Sequence, residues 1–150
     1  MTKPFRNGVI AVITRSDGKI LVGNRFGKNK AWQLPQGGMD KDELPGQAIM
    51  RELLEEIGSN HFKIIQELQE PITYKFPSEI KSKITKKYSG QSMYWFVLKC
   101  EDPGKINLEN AVDQEFDKLS WFTPAEILSN IVSWKLDFYK QGFQELGIQA

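Results

Sequence analysis

Short apolar runs alternate with polar turns along the first part of the chain. Residues 5–15 and 19–25 are rich in β-branched side chains, and Ser16-Asp17-Gly18 between them is a hairpin signal. We therefore predict two antiparallel strands. A polar turn at residues 26–30 precedes a short apolar piece, Trp32-Gln33-Leu34. Further strands are predicted over residues 62–76, 91–100 and 118–122.

A helix is predicted over residues 45–57. Pro45 suits its first turn, Asp42 or Glu43 can provide the N-terminal cap, and Gly58 suits its left-handed end. On a helical wheel the apolar side chains fall in one arc and the glutamates on nearly the opposite side. The apolar set is Ile49, Met50, Leu53, Leu54 and Ile57, and the acidic set is Glu52, Glu55 and Glu56.

Two more helices are predicted near the C-terminus. Thr123-Pro124-Ala125-Glu126 combines a capping residue with proline at the first helical position, and the final helix covers about Trp134 to Leu146. Because strands dominate and no repeat is present, we predict one α/β domain over residues 1–150, with a mixed, partly antiparallel sheet between helices.

Composition narrows the class of protein. Of 150 residues, 40% are hydrophobic and 26% are charged, and no apolar run approaches the roughly 20 residues of a membrane span. The N-terminal segment lacks a secretory pattern, so we expect a cytoplasmic protein with no membrane partner. The net charge of +1 gives no global attraction for nucleic acid. The single cysteine, Cys100, is predicted to be a buried strand thiol.

The three helix glutamates follow i, i+3, i+4 spacing, which places their Cβ atoms about 5–6 Å apart. Taken alone, this spacing is more typical of a solvated acidic face, with Arg51 pairing Glu55 one turn later. As a site it would bind a divalent cation, since hard oxygen ligands favour Mg²⁺, Mn²⁺ or Ca²⁺ over zinc.

A longer pattern favours the site. The segment from Gly37 to Gly58 resembles the Nudix box in its residues and their spacing. Glu43 follows Gly37 after five residues, Arg51-Glu52-Leu53 follows after seven more, Glu55-Glu56 after one and Gly58 after one. Ser59 is the one departure, because the family usually has an aliphatic residue there. The resemblance implies a Nudix-type α/β/α sandwich and hydrolysis of a nucleoside diphosphate linked to another group.

The resemblance also implies roles for the matching residues. Arg51 would hold Glu52 or a neighbouring carboxylate in place, the backbone of Gly37 would add a metal ligand, and Gly38 would let the loop approach phosphate. Glu43 would be structural. One to three Mg²⁺ ions, for which Mn²⁺ can substitute, would be bound by Glu52, Glu55, Glu56 and, from outside the helix, Glu115.

A general base must accept a proton from the attacking water. Glu56 or Glu55 is the first choice, and Glu70 and Glu115 remain alternatives.

Segments outside the box resemble the bacterial RNA 5′-pyrophosphohydrolases and the related dinucleoside polyphosphate hydrolases. Trp32-Gln33-Leu34-Pro35-Gln36-Gly37-Gly38 carries most of this likeness, and shorter counterparts are Phe5-Arg6, Arg25-Phe26-Gly27, Tyr74-Lys75, Gly90-Gln91, Glu115-Phe116-Asp117 and Val132-Ser133-Trp134-Lys135. The resemblance implies removal of pyrophosphate from 5′-triphosphorylated RNA, which initiates mRNA decay. Cleavage of dinucleoside polyphosphates is the alternative, and a non-catalytic Nudix-fold module a third. A homodimer is compatible with the resemblance.

The substrate-binding candidates each have an ordinary structural alternative. Arg6, Arg25 and Lys135 can bind phosphate oxygens, and Trp134 can stack on a purine. Equally, the arginines can be strand-end charges, Trp134 a packing residue and Lys135 a solvated lysine. Trp32 and Trp95 are predicted to be core aromatics.

The linker of residues 75–87 is basic. It is either a solvated loop or a positive surface that attracts the body of an RNA. Only Glu79 opposes its lysines, Lys75, Lys81, Lys83, Lys86 and Lys87.

Overall fold

A computed structural model describes residues 2–25, 31–113 and 115–150, so the turn predicted at residues 26–30, with Phe26-Gly27 of the resemblance, lies outside the described residues. The strands are β1 Phe5–Thr14, β2 Ile20–Arg25, β3 Trp32–Gln33, β4 Gln36–Gly38, β5 Lys63–Glu67, β6 Ile72–Lys75, β7 Gly90–Lys99 and β8 Phe116–Phe122. The helices are α1 Pro45–Ile57, α2 Lys83–Lys87, α3 Pro124–Asn130 and α4 Leu136–Leu146, with 3₁₀ turns at Pro103–Lys105, Leu108–Asn110 and Ser133–Lys135.

In the described part of the chain, the eight strands form one mixed sheet with β1 near its centre. β1 runs parallel to β7 along its whole length, from Phe5 opposite Gly90 to Thr14 opposite Lys99. It pairs antiparallel with β2 and β4. β2 also pairs with β3 and β8, and β7 with β5 and β6, all antiparallel. The prediction of a mixed, partly antiparallel sheet is confirmed.

Helices cover both faces of this sheet because side chains alternate along β1. Val9, Ala11 and Ile13 pack against Ala48, Ile49, Leu53 and Ile57 of α1. Ile10 and Val12 point the other way and pack with Ile127 of α3 and with Phe138, Tyr139 and Phe143 of α4. The result is the predicted three-layer α/β/α sandwich.

Several local predictions are confirmed. The hairpin closes through the Arg15 N–H, which donates to Lys19 O at 2.9 Å. Thr123 caps α3, and its Oγ1 accepts from the Glu126 N–H at 3.2 Å. Cys100 is buried.

Three elements differ from prediction. Residues 62–76 form two strands, β5 and β6, because the chain bends before Pro71, which has no N–H to continue a ladder. The basic linker is not all loop, since Ser82 Oγ accepts from the Thr85 N–H and starts the short helix α2. The last helix begins at Leu136, after a 3₁₀ turn that contains Trp134.

The cap and the buried face of α1 also differ from prediction. Leu44 occupies the N-cap position, and its N–H donates to the Gln47 side chain at 3.0 Å, so neither Asp42 nor Glu43 caps this helix. Leu54 is 46% exposed whereas Glu56 is 1% exposed. The buried face is therefore rotated toward the glutamates. The longest helix among the described residues, α1, has 13 residues, fewer than the roughly 20 that a membrane span requires.

Candidate active site

Arg51 ties α1 to the loop that precedes it. Its Nε and Nη2 donate to the two carboxylate oxygens of Glu43 at 2.8 and 2.9 Å, and Nη2 also donates to Gly38 O at 2.8 Å. Nη1 donates to Glu52 at 2.8 Å and to Glu55 at 3.2 Å. Hydrogen bonds with Glu43 raise the pKa of Arg51 and lower that of Glu43, so this fork stays charged.

Gly37 and Gly38 permit two close approaches on opposite sides of β4. A Cβ atom at Gly37 would overlap the Glu52 carboxylate, and one at Gly38 would overlap the Arg6 guanidinium. Successive positions of a strand face opposite sides of the sheet. The two faces of β4 therefore differ in charge. We call the face at Gly37, next to Glu52 of α1, the acidic side, and the face at Gly38, next to Arg6, the basic side.

The acidic side holds a buried carboxylate without a partner. Glu56 is 1% exposed, and neither of its oxygens has a hydrogen-bond partner in the part of the chain that the structure describes. Burial raises the pKa of Glu56 well above its ordinary value, and the charges of Glu115 and Glu52 raise it further. Burial also raises the pKa of Glu52 to about 7, although Arg51 opposes that shift.

These carboxylates fit a hard divalent cation. Two orphaned oxygens at a buried position are costly, and a cation beside them removes both that cost and the repulsion from Glu52 and Glu115. Among residues 2–25, 31–113 and 115–150, no three acidic, histidine or cysteine side chains already share metal-ligand spacing. One reason is that Arg51 holds Glu52 and Glu55.

The basic side holds a buried lysine. Lys135 is 6% exposed; its Nζ lies 3.5 Å from Gln33 Oε1 and 5.3 Å from the centre of the Trp134 ring. Burial lowers the pKa of Lys135 to about 8, with Arg25 lowering it and Glu115 raising it. The alternative of a solvated lysine is therefore wrong.

The aromatic predictions have mixed outcomes. Trp95 is fully buried, which confirms it as a core residue. Trp32 is only partly buried and packs on Phe122, with 5.1 Å between ring centres. Trp134 is also half-buried and contacts Tyr74 at 5.9 Å between ring centres. Packing of Trp134 thus leaves part of its surface free beside Lys135.

A buried polar group on the basic side was not among the predicted site residues. Gln91 is 3% exposed, and its Nε2 donates to the Tyr74 hydroxyl at 2.6 Å. Gln91 Oε1 and Gln36 Oε1 have no hydrogen-bond partner within the described residues. Burial raises the pKa of Tyr74, whereas hydrogen bonds with Gln91 and Gln36 and the charges of Arg6 and Arg25 lower it, so both arginines are within electrostatic range of its hydroxyl. A glutamine inside an apolar strand was the available signal.

The predicted residues therefore fall into two neighbouring groups, and Glu70 belongs to neither, being exposed between β5 and β6. The acidic group comprises Glu52, Glu55, Glu56, Glu115 and Gly37, with Arg51 behind it. The basic group comprises Arg6, Arg25, Trp134, Lys135 and Gly38.

Comparison with known proteins agrees with this architecture. The family model described as NUDIX domain matches residues 4–142. An RNA pyrophosphohydrolase of Aliivibrio fischeri is 35% identical over 150 residues, covering 97% of this chain and 88% of that protein.

Two solved structures share the fold. The E. coli dihydroneopterin triphosphate pyrophosphohydrolase matches with a TM-score of 0.69 at 20% identity, over 93% of this chain and 97% of that chain. The C. elegans Ap4A hydrolase in a binary complex matches with a TM-score of 0.67 at 18% identity, over 95% of this chain and 98% of that chain. The chain belongs to the Nudix hydrolase family, whose members generally use divalent metal ions.

Proposed function

We propose that this protein is a Mg²⁺-dependent RNA 5′-pyrophosphohydrolase formed by one domain. It would convert 5′-triphosphorylated RNA to 5′-monophosphorylated RNA and release pyrophosphate. One observation carries this proposal: a basic and aromatic group lies one strand residue away from the carboxylates around the buried Glu56. That group comprises Arg6, Arg25, Lys135 and Trp134. The A. fischeri relative, named as an RNA pyrophosphohydrolase, supports the same substrate.

The acidic group would hold the metal. Glu56 contributes one of its two unpartnered oxygens, and Glu52 and Glu115 lie beside it. Glu55, already bonded to Arg51, and the carbonyl of Gly37 complete a set that can serve one to three ions. When bound, Mg²⁺ neutralises phosphate oxygens and lowers the pKa of a coordinated water.

The basic group would bind and orient the RNA end. Trp134 offers its free surface to the first base, which aromatic stacking favours by about 1–3 kcal/mol. Arg6 and Arg25 can each bind phosphate oxygens through two N–H groups. Lys135 adds a positive charge at a buried position, where electrostatic attraction to phosphate is stronger than in water.

Hydrolysis requires transfer of one proton. Water oxygen attacks phosphorus, the anhydride bond between the α- and β-phosphates breaks to give RNA monophosphate and pyrophosphate, and a proton of the water moves to a carboxylate. We assign this proton to Glu56, because Arg51 already occupies the Glu55 carboxylate. Arg51 is a positioning residue: its donors are directed at Glu43, Gly38 and the glutamates.

Dinucleoside polyphosphate hydrolysis remains the second candidate, because the C. elegans Ap4A hydrolase shares this fold and such substrates also join a purine to a phosphate chain. Measuring kcat/KM on a triphosphorylated RNA and on diadenosine tetraphosphate separates the two activities. The proposal predicts the larger value for RNA, and a value orders of magnitude smaller for RNA than for diadenosine tetraphosphate would reject it.

A further inference from the structure

A groove of about 430 Å³ lies where the N-terminal segment meets the linker between β6 and β7, outside the site described above. We call it the basic groove. Lys3, Lys81 and Lys86 line it, together with Phe76, Tyr88 and several serine and threonine hydroxyls. Ligand pockets of about 300–1,000 Å³ are typical in size, so the basic groove can hold part of a polymer.

Hydrogen bonds across its base hold the basic groove in shape. The Phe76 N–H donates to Ser89 O at 2.9 Å, and the Ser89 N–H donates to Pro4 O at 2.9 Å. Lys3 Nζ donates to Thr85 O at 2.6 Å and bridges the two walls. A ligand therefore meets a largely preformed surface and loses less conformational entropy on binding.

The charge of the basic groove is local and strongly positive. Lys75, Lys83 and Lys87 add to its lysines on the exposed surface of the same linker, and Glu79 is the only acidic residue between positions 75 and 89. None of these lysines forms a salt bridge with another described residue. Since the whole chain carries only +1, this surface is an electrostatic feature of one end of the molecule.

Phe76 connects the basic groove to the proposed base-binding surface. Its ring lines the groove and contacts the Trp134 ring edge-on, with 6.4 Å between centres and an angle of 79°. A polynucleotide whose first base lies on Trp134 thus meets Phe76 and then the lysines. Alternating aromatic rings and positive charges are what single-stranded nucleic acid binds without sequence preference.

We propose that the basic groove binds the phosphodiester backbone of RNA nucleotides downstream of the 5′ end. This inference rests on the proposed function and sharpens it. A dinucleoside polyphosphate ends before the groove, whereas an RNA of ten nucleotides extends into it, so the groove gives preference for long RNA.

A pair of charge-matched double variants tests the groove. Lys81→Gln with Lys86→Gln removes two charges from the groove, and Lys63→Gln with Lys105→Gln removes two exposed charges near the other end of β7, about 30 Å away. All four side chains are exposed, so both proteins are expected to fold. The probes are a 5′-monophosphorylated RNA decamer for binding without turnover, and a triphosphorylated decamer and diadenosine tetraphosphate for turnover.

For the groove variant, the Kd of the decamer should rise on the order of fivefold to tenfold. The slope of log Kd against log salt should fall by about 1.4, since each phosphate contact on a single strand contributes about 0.7. Its kcat/KM should fall on the triphosphorylated decamer and stay unchanged on diadenosine tetraphosphate. The control variant should match the parent protein.

Three outcomes would overturn the inference. Equal weakening by both double variants would indicate general attraction, and an equal loss on diadenosine tetraphosphate would place the groove inside the catalytic site. Unchanged RNA binding by the groove variant would show that the groove does not contact the RNA. Failure of the proposed function looks different, because the parent protein would then hydrolyse triphosphorylated RNA poorly while the decamer binding assay still tests the groove.

Discussion

The Glu52 carboxylate lies so close to the Cα atom of Gly37 that a side-chain methyl group on this glycine would overlap it. Gly37→Ala should therefore displace Glu52 and lower kcat on the order of 10- to 100-fold, with weaker Mg²⁺ activation, as is usual when residues supporting a metal ligand are changed. Steady-state kinetics across a Mg²⁺ titration measure both effects.

Gly46 provides the matched control, since a Cβ atom there would meet nothing within 4 Å. Gly46→Ala in α1 should leave kcat unchanged and raise the free energy of unfolding by up to about 1 kcal/mol. Equal kinetics for the two alanine variants would refute the role of Gly37.

Arg51 should tolerate substitution less well than Arg15, an arginine of similar exposure whose salt-bridge partner is Asp17. Arg51→Lys cannot reproduce the fork to Glu43, Gly38 and Glu52, and we expect it to lower the free energy of unfolding by about 2 kcal/mol. Arg15→Lys keeps a positive charge beside Asp17 and Trp121 and should cost less stability than Arg51→Lys. Urea denaturation of both variants gives the comparison, and equal losses would argue against a structural role of the Arg51 network.

The sequence predicted α1 and its glutamates but not which glutamate is buried. A helical wheel gives the angles between side chains, and it placed Leu54 with the apolar set although Leu54 is exposed. Which side chains of α1 are buried depends instead on its contacts with β4 and with the segment before β8, because these contacts cover Glu56. Such contacts join residues far apart in the chain and are not encoded in the local period.

On the basic side, too, the sequence predicted the residues but not their burial. Arg6, Trp134 and Lys135 could be proposed from the motif resemblance. Burial of Lys135 could not, because it involves Gln33 of β3, about 100 residues away in the chain. The Gln91–Tyr74 hydrogen bond likewise depends on the pairing of β6 with β7.

Lys135 should reduce stability while it supports activity. Its folded pKa of about 8 lies below the ordinary 10.5, so at pH 7 the lysine is charged in both states and burying that charge costs about 3 kcal/mol. Between pH 8 and 10.5 the folded lysine becomes neutral first, and the cost disappears above that range. Lys135→Met should therefore unfold at higher urea than the parent at pH 7 and lose this advantage above pH 10.5, while its KM for triphosphorylated RNA rises.

Lys140→Met, on the exposed side of α4, is the control and should show little change in stability at either pH. A Lys135→Met protein that is less stable than the parent at pH 7 would contradict the buried charge.

Glu56→Gln separates proton acceptance from metal binding. The amide keeps a ligand oxygen but cannot accept the proton of water, so kcat should fall by about 10²- to 10⁴-fold while Mn²⁺ binding, followed by electron paramagnetic resonance, is retained. Glu55→Gln should lose less, because Arg51 holds that carboxylate. A larger loss for Glu55→Gln would move the base to Glu55.

The central claim is metal-dependent hydrolysis of the triphosphate at an RNA 5′ end, and product analysis in H₂¹⁸O tests it most directly. A triphosphorylated decamer incubated with the protein and Mg²⁺ should yield 5′-monophosphorylated RNA and pyrophosphate, with one ¹⁸O atom in one of the two products and no reaction in EDTA. Triphosphorylated RNA that remains intact under conditions where diadenosine tetraphosphate is cleaved, or product formation that persists in EDTA, would contradict the claim.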